Sequence, residues 1–359
     1  MTAKPRVLFV GRARYALPLS PTMRLKWDAV AEELDYRVVA SSPDASGGDV
    51  TFLLRPRTAL DGPRFWLSLP GRVRREARRF APGAIVAQSP FEAAAALIAG
   101  TGVPVIVELH GDWRTFARLY GSSSRRAFAR VADAIGSWAV RRSAKVRTVS
   151  PYTTRLARET GREPAAEFPA FMDLEPFAAP VAPLPAEPAA LFVGVLELYK
   201  NIDGLVAAWR LAQRRVPEAR LRIVGTGTHA DLVRRLVADG LATWDERLDT
   251  AGIASALDEA SLLVLPSRSE GMGRVVIEAF LRARPVIGSA VGGIRDLVTD
   301  GDNGLLVDPE PAAIADALVR VLGDRDELER LAAGARRAGE AWLVAPEEYA
   351  RRLRELVVT

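Results

Sequence analysis

Short, continuous apolar runs recur along this chain, and each is followed by a segment with helical periodicity. In the first half the runs are RVLFVG (6–11), VTFLL (50–54), AIVA (84–87), PVIVEL (104–109) and KVRTVS (145–150). Between them lie MRLKWDAVAEEL, FWLSLPGRVRREARRF, FEAAAALIAG, RRAFARVADAIGSWAVRRSA and PYTTRLARE. A strand that is apolar at every position has to be covered on both faces, and helical crossovers between such strands make them parallel. The pattern predicts an α/β fold with doubly wound sheets.

Residues 175–190, EPFAAPVAPLPAEPAA, interrupt it with prolines at 176, 180, 183, 185 and 188. Proline lacks an N–H and fixes φ, so this stretch reads as a linker rather than a helix or central strand. The alternation restarts at ALFVG (190–194) and continues through LRIVG, LLVLP, PVIG and GLLVD. A chain of 359 residues is long enough for two cores. The expected organisation is two Rossmann-like domains facing a cleft, 1–175 and 176–342. In such sheets ligands sit at the carboxyl ends of the strands and between domains. A last helix, within 343–359, follows Trp342.

Several function classes drop out at this stage. The chain has no cysteine, which excludes disulfides and thiolate metal sites, and His110 and His229 are its only histidines. No metal and no other cofactor is expected. VGTGTHADL does not supply the dinucleotide fingerprint, and there is no Walker loop or nucleophile elbow. Aromatic residues are too thinly interleaved with the basic stretches for a nucleic-acid platform. No apolar run reaches the roughly 20 residues of a membrane span. MTAKPRVLFVGRARY runs straight into a strand without a signal-peptide pattern, so a cytoplasmic location is expected.

One stretch, PSRSEGMGRVVIEAFLRARPVIGSAVGGIRDLVTDGDNGLLVDP (266–309), concentrates the chemistry. The strand LLVL stops at Pro266-Ser267, so Glu270 lies in the loop beyond the strand tip. Gly271, Met272 and Gly273 lead into a helix that begins at Arg274 and Val275, and Glu278 falls about one turn inside it. Helix N-terminal N–H groups favour phosphate, and glycine lets backbone approach it. A carboxylate before those amides and one after would flank a diphosphate, with a sugar hydroxyl at one end and a ribose diol at the other. In isolation, two glutamates at this spacing are more often a helix-start residue and a solvated helical carboxylate.

The ordered set Pro-Ser, Glu-Gly-x-Gly, Glu-Ala, a Pro-Val strand and a Gly-Leu-Leu-Val strand resembles the donor-binding core of family 4 glycosyltransferases, which have the GT-B fold. LFVGVLELYKNIDGLVAAW (191–209) and LRIVGTGTHADLVRRL (221–236) are similar to the family's preceding motifs. The resemblance implies transfer of a sugar from a nucleotide-diphosphate sugar to an acceptor hydroxyl with retention of configuration. It implies that Lys200 meets the donor phosphates and that the loop at Gly11 approaches the reaction centre. His110, at the start of HGDW, would contact the donor sugar. The catalytic set is then Glu270, His110 and Lys200. The donor set is Gly11, Lys200, Gly271, Met272, Gly273, Arg274, Val275 and Glu278. Where the family commonly has arginine after the first glycine of the donor domain, this chain has Val195, and Arg274 is the nearest substitute by sequence. The C-terminal helix would cross back onto the first domain. The alternatives are a catalytically silent nucleotide-sugar-binding protein and a GT-B epimerase or phosphorylase.

Charge is uneven. Residues 1–180 hold 27 Lys+Arg against 17 Asp+Glu, a balance of +10, and the remainder of the chain balances to −5. RVRREARRF puts Arg72, Arg74, Arg75, Arg78 and Arg79 among Val73, Ala77 and Phe80, and Arg125, Arg126 and Arg130 follow in SSSRRAFARV. Such stretches are often only solvated helix faces. The alternative expectation is an anionic surface as partner, with the protein peripheral on the inner face of a membrane. The acceptor is expected to be a carbohydrate, a lipid-linked molecule or a small molecule.

Overall fold

The computed structural model describes residues 3–43, 48–55, 61–119, 129–343 and 345–359. The chain divides into two units, Met1–Met172 with Val344–Thr359, and Asp173–Leu343. The basic residues Arg125 and Arg126 lie outside the described residues.

The first unit is built on a parallel sheet of seven strands: β1 (Arg6–Arg14), β2 (Asp35–Ser41), β3 (Phe52–Arg55), β4 (Ala84–Ala87), β5 (Val105–Leu109), β6 (Lys145–Thr148) and β7 (Ala166–Glu167), in the order β3-β2-β1-β4-β5-β6-β7. Successive side chains of β1 enter opposite cores, as the unbroken apolar run requires. Leu8 and Val10 pack with Phe65, Leu69 and Val73 of the helix Asp61–Phe80. Val7 and Phe9 pack with Trp27 and Val30 of the helix Pro21–Glu33, and with Leu353 of the C-terminal helix Pro346–Val358. That last helix lies against Pro21–Glu33, and Lys145 Nζ donates to the carbonyl of Leu356 at 2.7 Å. On the helix Asp61–Phe80, Val73, Ala77 and Phe80 are buried, while Arg74, Arg75, Arg78 and Arg79 are exposed. The apolar members of RVRREARRF therefore belong to the core and offer nothing to an outside surface.

The second unit holds six parallel strands: β8 (Ala189–Val193), β9 (Arg220–Val224), β10 (Thr243–Asp245), β11 (Leu262–Leu265), β12 (Val286–Ser289) and β13 (Gly304–Val307), in the order β10-β9-β8-β11-β12-β13. Both sheets run outward from their first strand, reverse, and run outward on its other side. The reversal lies between β1 and β4, and between β8 and β11. This is where open α/β sheets leave a crevice beyond the strand tips. β2, β7 and β10 are strands that the apolar-run criterion misses. DYRVVAS begins polar, and the other two are short pieces at sheet edges.

The proline-rich stretch makes one 3₁₀ turn, Glu175–Phe177, with Phe177 fully buried, and then lies along the second unit. Two buried arginines hold it there. Arg282 Nη1 and Nη2 donate to the carbonyls of Ala179 (2.7 Å) and Pro180 (3.0 Å). Arg284 Nη2 donates to those of Ala182 and Pro183, both at 3.1 Å. Prolines remove N–H groups from the strap but leave its carbonyls, and guanidinium forks satisfy these. Burial pushes the Arg284 pKa down to about 10, Asp258 opposing the shift.

Candidate functional site

Two loops meet beyond the reversal point of the second sheet. The loop after β8 turns through the 3₁₀ segment Leu198–Lys200, and the loop after β11 carries Glu270. Lys200, which a sequence reading would allow on the surface, is buried, and its Nζ forms an ion pair with the Glu270 carboxylate. Arg268 holds the two loops together. Its Nη1 donates to Leu198 O (2.8 Å) and Asp203 Oδ1 (2.9 Å), its Nη2 to Asp203 Oδ2 (2.7 Å), and its backbone N–H to Tyr199 O (2.7 Å). The hydrogen bond from Arg268 lowers the Asp203 pKa. Neither Arg268 nor Asp203 carries a motif, so nothing in the sequence marks this clip.

The helix Arg274–Leu281 begins at Gly273, which takes φ 78°, ψ 50° and provides no side-chain cap. That left-handed conformation suits glycine, and no side chain caps the first turn, where the Val276 N–H donates to Gly273 O at 2.9 Å and those of Arg274 and Val275 face outward for an anion. A second close approach fixes the loop from behind. The N–H of Gly293 donates to Glu270 O at 2.9 Å, and a Cβ on Gly292, at φ 51°, would lie 2.1 Å from that same oxygen. The Gly292-Gly293 turn therefore lets one backbone press directly on another.

Within this cluster Met272 is buried, Gly271 and Val275 are partly buried, and Arg274 is exposed. Glu278 is partly buried one turn into the helix, and burial raises its pKa, with Arg274 opposing. Val195, exposed, leaves its position without a cation.

The first unit carries its own set at the strand tips. Gly11 does not follow β1 as expected but lies inside it. The strand runs on to Arg14, which pairs with Ser41 after a register shift. Gly11 leaves the space that the Gln88 side chain enters from the tip of β4. Glu92, one turn further, is buried and accepts a hydrogen bond from Ser89. Burial raises its pKa, opposed by Ser89 and Arg12.

His110 follows β5 with its ring partly exposed, and its Nε2 lies 3.3 Å from Glu108 Oε2. Glu108 is buried in an ion pair with the fully buried Arg147. Burial alone would raise the Glu108 pKa, but Arg147 and His110 outweigh it and lower it. The Arg147 guanidinium stacks 3.8 Å from the Phe168 ring centroid and donates to Phe168 O and Pro169 O. His110 is thus oriented by a buried network that the motif HGDW does not reveal. Asp112 caps the helix Trp113–Leu119, accepting the Arg114 amide at 2.9 Å, and His229 stands at the N-cap of the helix Ala230–Ala238. Among the described residues no group of three or more His, Cys, Asp or Glu could hold a metal ion.

A family model described as "Glycosyl transferases group 1" matches residues 187–324, and one described as "Glycosyl transferase 4-like domain" matches 22–168. The chain is 29% identical over 260 residues to the alpha-D-kanosaminyltransferase of Streptomyces kanamyceticus, which is 65% of each chain. It is 37% identical over 172 residues to the D-inositol 3-phosphate glycosyltransferase of Nocardia farcinica, covering 44% of this chain and 38% of that one. The matched region thus spans under two thirds of either relative. Among solved structures, a sucrose-phosphate synthase from Thermosynechococcus elongatus superposes with a TM-score of 0.78 at 21% identity over 99% of both chains. Anabaena HepE in complex with UDP-glucose gives 0.69 at 17% identity, over 98% of this chain and 99% of that one.

Proposed function

The chain belongs to the group 1, family 4-type glycosyltransferases and has their two-domain α/β GT-B fold; from that premise we propose that it transfers a sugar from a nucleotide-diphosphate sugar to an acceptor hydroxyl, with retention of anomeric configuration. The observation that carries this reading is the meeting of Lys200, Glu270 and the uncapped helix start at Gly273 on one strand-tip crevice. It supplies cationic and N–H charge for a diphosphate beside a carboxylate for sugar hydroxyls.

In the proposed step the acceptor oxygen bonds to the anomeric carbon while the bond from that carbon to the diphosphate oxygen breaks. The acceptor proton passes to the departing diphosphate. Lys200 and the helix N–H groups stabilise the charge that develops there. Arg274, exposed at the helix start, takes the place that Val195 leaves empty. Glu270 orients sugar hydroxyls, Glu278 accepts the ribose diol, and His110, held by Glu108, contacts the sugar. The mechanism calls on no metal and no cofactor. The acceptor is assigned to the first unit.

Anabaena HepE was solved with UDP-glucose, so UDP-sugars are the first donors to try, followed by GDP- and ADP-sugars. A thermal-shift panel finds the donor: at 100 times its dissociation constant it stabilises by about 2.7 kcal/mol. Product analysis with that donor and cell-extract acceptors then reads turnover and anomeric configuration. Donor binding without turnover would favour the silent-binder reading, which Val195 supports.

We also propose an anionic membrane surface as partner. On the helix Ala129–Arg142, Val131, Ile135 and Trp138 are exposed at i, i+4 and i+7, with Arg130, Arg141 and Arg142 at its two ends. An apolar stripe flanked by cations suits the boundary between headgroups and acyl chains.

A further inference from the structure

A second concavity lies at the far edge of the first sheet. β3 ends in Arg55, and the helix Asp61–Phe80 follows. Ser68, Gly71, Arg72 and Arg75 stand at i, i+3, i+4 and i+7 of that helix, so they share one face. With Arg55 they line an open cavity of about 580 Å³. Gly71 faces open space, and a Cβ there would meet nothing within 4 Å. Among the described residues no acidic one is in the lining.

One donor of this cluster, on Arg72, is unused. Arg72 Nη2 donates to Leu53 O at 2.6 Å, but its Nη1 is buried with no hydrogen-bond partner. Arg55 Nη1 donates to Ser68 Oγ at 2.5 Å. Arg75 is exposed, and its nearest carboxylate, Glu76 at 4.0 Å, is shared with Arg37 and Arg79. Burial, then the like charges of Arg55 and Arg75, lower the Arg72 pKa, and Glu76 opposes them. Converging guanidinium groups repel one another, and an anion between them removes that cost. Planar forks match the geometry of phosphate oxygens in pairs.

We propose that this cavity binds a phosphate ester group, held by the forks of Arg55, Arg72 and Arg75. It stands apart from His110. β3 lies four strand spacings from β5, or about 19 Å at about 4.8 Å each. The phosphate belongs either to a soluble phosphorylated molecule or to a lipid headgroup. The inference is independent of the transferase reading, because binding is read without donor or turnover.

The test titrates the full-length chain with glycerol 3-phosphate by calorimetry at constant ionic strength, and separately sediments it with vesicles containing phosphatidate. Arg75→Gln, at an exposed position, keeps the melting temperature and weakens binding by about tenfold or more. Lys200→Ala leaves this binding unchanged. Arg75-dependent binding of glycerol 3-phosphate assigns the soluble source. Arg75-dependent binding of vesicles alone assigns the lipid. The proposal fails if Arg75→Gln binds both probes like the wild type, if neither probe binds, or if the phosphate signal disappears with Lys200→Ala instead.

Discussion

Lys200 and Glu270 lie 70 positions apart and satisfy each other's charge where both side chains are largely buried. Removing one therefore disturbs the other. Lys200→Ala is expected to lower turnover by roughly 100-fold or more, the scale of a lost transition-state contact. Because the pair acts as a unit, the double variant Lys200→Ala/Glu270→Ala should cost little more than the worse single one. Steady-state kinetics of the three variants checks this, and strictly multiplicative losses would separate the two roles. Glu278 gives a different signature. Burial raises its folded-state pKa, so between the unfolded and folded values the native state holds the extra proton. Its contribution to stability is then present below the unfolded pKa, near 4.3, and is lost as pH rises through the folded one. Glu278→Gln should melt higher than the wild type at pH 7 and equal it near pH 4, yet bind nucleoside diphosphate more weakly. Melting curves at the two pH values with calorimetry at pH 7 test both halves. A variant that binds as tightly as the parent rules out the ribose assignment.

At the scale of elements, the strap 178–183 has no secondary structure of its own and is held through its carbonyls by Arg282 and Arg284. Arg284→Ala would leave several buried acceptors without donors. Unsatisfied buried polar groups cost about 1–3 kcal/mol each, so a loss of about 2–4 kcal/mol is expected. Urea unfolding measures it, and a change below about 0.5 kcal/mol would mean that water replaces the guanidinium. Buried RAR was legible only as the end of a helix before the Pro-Val strand. Its partners lie about 100 positions upstream, and no local periodicity points to them.

For the whole molecule, the +10 balance of residues 1–180 acquires a specific face. In RVRREARRF the apolar residues turn into the core, whereas Val131, Ile135 and Trp138 turn out. Each arginine near an anionic surface contributes about 1 kcal/mol, and the Debye length is about 8 Å at physiological ionic strength. The protein is expected to sediment with phosphatidylglycerol vesicles at low salt, to stay in the supernatant with phosphatidylcholine, and to be released by high salt. Trp138→Ser should reduce the anionic fraction. Equal recovery from both vesicle types at low salt would leave a soluble acceptor as the remaining reading. Among the described residues no helix is long and apolar enough to cross a membrane.

The sequence by itself determined the two parallel sheets, because strand burial and helix amphipathicity are written in nearest-neighbour periodicity. It also determined the helix entry at Gly273, since backbone freedom belongs to the residue. Only the tertiary structure decided that Lys200 is buried against Glu270, that Arg268 ties their loops through Asp203, and that Glu108 and Arg147 stand behind His110. It moved Gly11 into the strand and drew Arg282 and Arg284 onto the proline strap. The physical reason is common to these cases. A charge chooses its partner among the groups that the strand order brings to one crevice or one core, and that order is a property of the sheet, not of the residues flanking the charge.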